Sequence, residues 1–259
     1  MSALRPGWLL SALIVLMFLL GWQGIIRAEH LEPWLLPGPL DVLAAFGKPE
    51  TRALIADNIG ITLAEAAIGL LACLVIGVGL AVAMFASRVL RDALYPLIIA
   101  SQAVPTIAIA AVLVVAMGYG LAPKVVVIVL YAFFAITVSV YDSLLSLDPE
   151  LPELLRSLGG SRWQILRTAR LPAALPGFFT GAKLAVTYSI SAAIYGEWVG
   201  ATGGLGYALQ QAANQFQAAT VLAIVVVMAA LGLLAFAAVA LLERICVPWA
   251  RRTARAGGR

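Results

Sequence analysis

Residues 148–172 read DPELPELLRSLGGSRWQILRTARLP, and the rest of the chain is organised around this stretch. It is the longest polar interruption between two strongly apolar runs, with charges at Asp148, Glu150, Glu153, Arg156, Arg162, Arg167 and Arg170. Pro152 suits the first turn of a helix, and Glu150 and Glu153 stand near that helix's positive end. Leu151, Leu154, Leu155 and Leu158 fall on one helical stripe. Gly159-Gly160 ends the helix, and Ser161 can cap a second one in which Trp163 and Ile165-Leu166 are apolar and Arg162, Arg167 and Arg170 basic. A short helix, a glycine turn and a basic second helix make a knob that a partner protein could grip. An ordinary polar loop would have the same composition but needs no such spacing.

The flanking chain cannot be a soluble domain. Of its 259 residues 63% are hydrophobic and 12% charged, against about 25% charged in soluble proteins. Six apolar runs are predicted as spans: roughly Gly7–Ile26, Ile61–Ala86, Ala93–Met117, Val125–Tyr141, Leu175–Val199 and Ala218–Leu242. Each is close to the roughly 20 residues a bilayer requires. The first is too long for a typical cleaved signal segment and no Ala-x-Ala site follows, so it is read as retained. The expected fold is therefore an all-α membrane protein with six transmembrane helices. Residues 1–60 would form an N-terminal helix and a polar external segment, 61–245 the core with the 148–172 loop, and 246–259 a basic tail.

With six spans both termini share a side with the loop. Twelve Lys and Arg fall there (Arg5, Arg88, Arg91, the four loop arginines, and Arg244, Arg251, Arg252, Arg255 and Arg259), against four on the other side (Arg27, Lys48, Arg52 and Lys124). That bias puts the termini and the loop in the cytoplasm. The net charge of +4 thus sorts by membrane side and does not indicate nucleic-acid binding.

No enzyme chemistry is legible. Walker A, Gly-x-Ser-x-Gly and His-Glu-x-x-His patterns are missing. Cys73 and Cys246 lie in or at the end of apolar runs, and the single histidine, His30, lies in a loop. Catalytic residues, metal ligands and a cofactor of the chain's own are not expected, and any energy for uphill transport must arrive from another subunit.

Polar residues inside spans are expensive and usually functional. The fifth span carries Lys183, Thr187, Tyr188, Ser189, Ser191, Tyr195 and Glu197. Thr187, Ser191 and Tyr195 recur at i, i+4 and i+8, a stripe that either lines a cavity or bonds to another helix. Lys183 can snorkel to the nearer interface. Glu197 is either interfacial or a gate element, and Glu65 in the second span can be interfacial. Gln102, beside Pro105 in the third span, is a further pathway candidate.

Glu153, Leu154 and Leu155, three residues, Gly159, and Leu171-Pro172 twelve residues later resemble the EAA loop of ABC-importer permeases. Leu154 and Leu155 stand in place of its two alanines and Ala169 in place of its isoleucine. The similarity runs over residues 60–245. Ser101-Gln102-x-Val104-Pro105-x-Ile107-Ala108, Gly118-Tyr119-Gly120 with Pro123-Lys124, Gly196-Glu197-Trp198-Val199-Gly200-Ala201 and Gly204-Leu205-Gly206 are similar to one branch of that family. The branch comprises nitrate, taurine and alkanesulfonate permeases and, nearer still, those for hydroxymethylpyrimidine-type thiamine precursors. The resemblance implies a type I importer in the bacterial inner membrane. It would hold two permeases (a homodimer expected), two cytoplasmic ATPases using ATP-Mg, and one external solute-binding protein. Glu153, Leu154, Leu155, Gly159, Leu171 and Pro172 would couple to the ATPase. Gln102, Thr187, Tyr188, Ser191, Tyr195 and Glu197 are the pathway candidates. Stacking by Tyr188 or Tyr195 and amide bonding by Gln102 suit a pyrimidine better than a bare anion. A nitrate, taurine or sulfonate permease is the alternative. A stand-alone secondary transporter is the alternative of another class, and its mark would be several paired intramembrane ionisable groups.

Overall fold

The computed structural model describes residues 6–30, 32 and 34–249, and these are helical with short connections. Arg5 and the tail arginines Arg251, Arg252, Arg255 and Arg259 lie outside the described residues. In chain order the helices are α1 (Pro6–Ala28), α2 (Pro39–Gly47), α3 (Pro49–Ala86), α4 (Arg88–Ser101), α5 (Thr106–Met117), α6 (Leu121–Leu145), α7 (Glu150–Ser157), α8 (Arg162–Ile165), α9 (Leu171–Trp198), α10 (Leu205–Asn214) and α11 (Ala218–Cys246). A π-helical turn, Leu166–Arg170, joins α8 to α9.

Among the described residues four helices, α1, α3, α6 and α11, are long and apolar enough to cross a membrane, and α4 with α5 makes a bent fifth. The fifth expected span, α9, has 28 residues but is more polar than these others. The third expected span is not one rod. Its halves α4 and α5 meet at 97°. Pro105 removes a backbone donor and drives Val104 out of the helical region. Bonds from Gln102 to Ile99 and from Ala103 to Ala100 close the last turn of α4 instead.

The second span also differs from expectation. At 38 residues α3 is about 57 Å long, nearly twice the roughly 30 Å hydrocarbon core. The boundary expected at residue 60 therefore falls inside α3, and the polar stretch before it is helix as well. Its foot joins the rest through α2, whose Gly38 amide donates to Asp41 Oδ2 at 2.8 Å in a capping arrangement.

The core forms where α3 and α9 flank α6. Glu65–Lys124 is one α3–α6 pair, 59 residues apart. Gly69 facing Ile128 and Gly77 facing Ile136 keep the same offset, so α3 and α6 run parallel. A Cβ on Gly77 would lie 2.7 Å from Ile136 Cγ2. Only the missing side chain lets the two helices approach this closely, as small residues do between membrane helices. On the other face α9 runs antiparallel to α6, with Gly177 against Ser143, Gly181 against Ser139 and Gly196 against Lys124. The middle of this slab is apolar, built on Cys73, Ala132, Ile136, Val140, Leu144, Ala182 and Ala185.

Candidate functional site

The loop end of the slab carries the predicted knob. α7 ends in a Schellman turn: Gly160 N–H donates to Leu155 O at 2.9 Å and Gly159 N–H to Arg156 O at 3.0 Å. Gly159 takes the left-handed conformation this turn needs, at φ +87°. Nothing lies within 4 Å of where its Cβ would be, so backbone conformation, not crowding, selects glycine here. Ser161 then caps α8, its Oγ accepting from Gln164 N at 3.3 Å while Gln164 Oε1 accepts from Ser161 N at 2.8 Å.

The second helix of the loop is not separate. α8, the π turn and α9 form one unbroken helical run from Arg162 to Trp198. The wide turn falls just before Pro172, whose ring would meet the Thr168 carbonyl in regular helix. The predicted coupling residues therefore divide. Glu153, Leu154 and Gly159 are exposed on the knob, whereas Leu155, Leu171 and Pro172 are half-buried at its root. Leu151, Leu154 and Leu158 present an exposed apolar stripe, Leu158 being 75% exposed. On a helix otherwise charged, such a stripe marks an interaction surface.

The opposite end holds a buried polar cluster that sequence reasoning only partly found. Glu197 is 0% exposed, which removes the interfacial reading. Its Oε1 accepts from Thr62 Oγ1 at 2.7 Å and its Oε2 from Gly206 N–H at 2.5 Å. Thr62 Oγ1 in turn accepts from Leu205 N–H at 2.7 Å, and Asn58 Oδ1 from Gly204 N–H at 2.8 Å. Three side chains from α3 and α9 thus satisfy the free amides at the start of α10, which no residue of α10 caps itself. Gly204, at φ +106°, carries no Cβ because one would overlap the Glu197 carboxyl.

Glu65 is likewise not interfacial. It is buried and paired with Lys124 Nζ at 2.5 Å, and its Oε2 alone among the described buried side-chain oxygens and nitrogens has no hydrogen-bond partner. Lys183 does not snorkel freely either, since it pairs with Glu243 of α11 at 2.9 Å. Among the described residues two interhelical ion pairs are therefore present, more than the sequence indicated. The roles of Asn58, Thr62 and Lys124 were missed. Asn58, Thr62 and Glu65 recur at i, i+4 and i+7 in an apolar helix, which is the signal that marks them.

Thr187, Tyr188 and Ser191 line a groove of about 730 Å³ between α9 and α11, walled by Val225, Met228 and Phe236. Tyr195, on the same predicted stripe, does not line it. It packs edge-on against Tyr131 of α6 at 5.7 Å, and Tyr131 meets Tyr188 at 5.5 Å, so a run of three tyrosines lies along the slab. Tyr131 had no distinguishing mark in the sequence. Gln102 does not line the groove. It sits exposed in the α4–α5 break with its amide bonded to Ser101 Oγ at 3.2 Å.

Residues 50–245 match the family model described as binding-protein-dependent transport system inner membrane component. The chain is 36% identical over 252 residues to the formylaminopyrimidine transport permease protein ThiX of Halalkalibacterium halodurans, covering 97% of this chain and 98% of that one. It is 30% identical to the riboflavin transport system permease protein RibX of Chloroflexus aurantiacus, over 91% of this chain and 88% of that one. It is 28% identical to the taurine transport system permease protein TauC of Escherichia coli, over 88% and 85%. Among solved structures, the inward-facing MetNI methionine ABC transporter superposes with a TM-score of 0.69 at 23% identity, covering 77% of this chain and 99% of that one. That likeness carries the fold, a type I importer permease.

Proposed function

The chain belongs to the binding-protein-dependent transport system inner membrane components, and from that premise we propose that it forms the substrate pathway of an ATP-driven importer for a pyrimidine thiamine precursor. The observation that carries the substrate is the near full-length similarity to a formylaminopyrimidine permease. The site is compatible with it. Thr187, Tyr188 and Ser191 offer hydroxyls and an aromatic face in the α9–α11 groove, and neutral heterocycles stack and hydrogen-bond with such groups. The groove has no arginine or lysine in its lining, which suits a sulfonate or nitrate less well.

In this reading two copies of the chain face each other across their α9 helices, since one copy leaves the groove open on one side. The knob of Glu153, Leu154, Leu155 and Gly159, rooted at Leu171 and Pro172, docks into one of two ATPase subunits on the cytoplasmic side. An external binding protein delivers substrate to the α10 end. ATP-Mg is used in the partner, not here. Glu197 joins the pathway through α10: it holds the first turn of that helix and so couples the outer end of α9 to whatever α10 contacts.

A thermal-shift screen of the cognate binding protein tests the substrate. Stabilisation by hydroxymethylpyrimidine or formylaminopyrimidine compounds is expected. Stabilisation by taurine, nitrate or riboflavin alone would overturn the substrate while leaving the permease assignment intact.

A further inference from the structure

Arg170 is held in place at the root of the knob. Its Nη1 donates to Leu144 O at 2.9 Å, and its guanidinium lies over the Phe85 ring at 4.7 Å from the centroid. With Arg156 of α7 and Arg162 of α8 it lines a hollow of about 500 Å³ whose wall includes Val82, Phe85 and Trp163 and contains no carboxylate. Three permanent cations around one hollow, without an acid among the lining residues, form a site for an anion. Guanidinium forks match phosphate oxygens in particular.

The position of the hollow narrows the source of that phosphate. It opens at the last turn of α3, where the apolar run ends at Ala86, and so lies at the depth of the headgroups. Leu71, Val75, Val78 and Val82 form one helical stripe running from the bilayer into the hollow. Leu71 is 64% and Val75 74% exposed. Trp163, also exposed, stands at the rim, where interfacial tryptophans belong. A ligand with a phosphate head and hydrocarbon tails meets both features, and a free phosphate meets only the first. We propose that the hollow binds the headgroup of an anionic phospholipid, whose acyl chains lie along the α3 stripe. Basic pockets at the membrane boundary recognise such lipids by the same chemistry. The site rests on the membrane reading of α3 but not on the substrate assigned above. Because Arg156 belongs to α7, a bound lipid would also brace the knob from the membrane side.

The test is native mass spectrometry of the full chain in detergent, titrated with phosphatidylglycerol or with phosphatidylcholine of matched chains. Wild type should retain phosphatidylglycerol selectively. Arg156→Gln and Arg162→Gln should each lower its retention about fivefold, and Arg162→Lys should lose less. Millimolar inorganic phosphate should not displace the lipid. Equal retention of the two lipids, or no loss in the Arg156→Gln/Arg162→Gln double variant, would overturn the proposal. Displacement by phosphate would make the hollow a free-phosphate site. Loss of the lipid when ATPase binds wild type would give the arginines to an acidic side chain of that subunit. Co-purification of ATPase with the same variants reads docking separately, so failure of the lipid site and failure of the docking reading are distinguishable. Arg170 stays unaltered in these variants because it also bonds Leu144.

Discussion

The Glu197 carboxylate on α9 accepts the Thr62 hydroxyl on α3 at 2.7 Å, although the two residues are 135 positions apart. Thr62 passes the interaction on to the Leu205 amide. The start of α10 is thereby held by the two helices that flank α6. Removing the hydroxyl strands a buried carboxylate oxygen and a buried N–H together. Thr62→Val should therefore cost about 1–3 kcal/mol per orphaned group, whereas Thr62→Ser should stay within about 1 kcal/mol of wild type. Thermal unfolding of the detergent-solubilised protein checks this. Equal midpoints for the Val and Ser variants would show that the bond contributes nothing.

Among the described residues Lys124 is the one cation paired with Glu65, and Glu65 already has one oxygen without a hydrogen-bond partner. Lys124→Met leaves the carboxylate buried and unpaired, which destabilises by about 3–5 kcal/mol. Replacing both residues, Lys124→Met with Glu65→Leu, should recover most of that loss, because apolar pairs of similar volume substitute well for buried ion pairs. Membrane yield and midpoint of the single and double variants measure it. A double variant as weak as the single one would mean that the pair serves more than structure.

Gly159→Leu should leave the protein inserted and folded while weakening capture of the ATPase. The position has open space around it but a left-handed backbone, and a side chain there costs about 1–2 kcal/mol. Gly159→Asn should be milder, since asparagine tolerates that conformation. Co-purification of tagged ATPase reads the effect. Wild-type capture and normal uptake with Gly159→Leu would remove the knob as the joint.

Face-to-face α9 helices predict a symmetric cross-link. Single cysteines at Thr187 or Ser191, in a background with Cys73 and Cys246 replaced, should give a dimer adduct with a short bifunctional reagent in at least one nucleotide state. Absence of an adduct in every state would contradict the paired arrangement.

The local features of this chain were legible because local rules set them. The Gly159 break and the Ser161 cap each follow from residues within a few positions, and the structure has both. The 97° bend was not readable. Pro105 announces an interruption, but its angle depends on what α4 and α5 pack against. Pairing was not readable either. Glu65 and Lys183 each stood in the sequence as lone charges, and their partners lie 59 and 60 residues away. Glu197 stood open between an interface and a gate for the same reason: its position near a helix end allows either, while its burial is decided by α10 folding over it. The hydroxyl stripe of α9 divides. Thr187 and Ser191 reach the groove, and Tyr195, a turn further on, is turned toward Tyr131 by aromatic packing.

In the proposed mechanism energy enters through the knob from a separate ATPase. Uptake of a radiolabelled pyrimidine precursor into proteoliposomes tests this most directly, with the chain alone, with ATPase, and with ATPase plus binding protein. Uptake only in the complete mixture, and only with ATP, is the predicted result. Accumulation by the chain alone would contradict it and would make the Glu65–Lys124 and Lys183–Glu243 pairs the machinery of a stand-alone transporter.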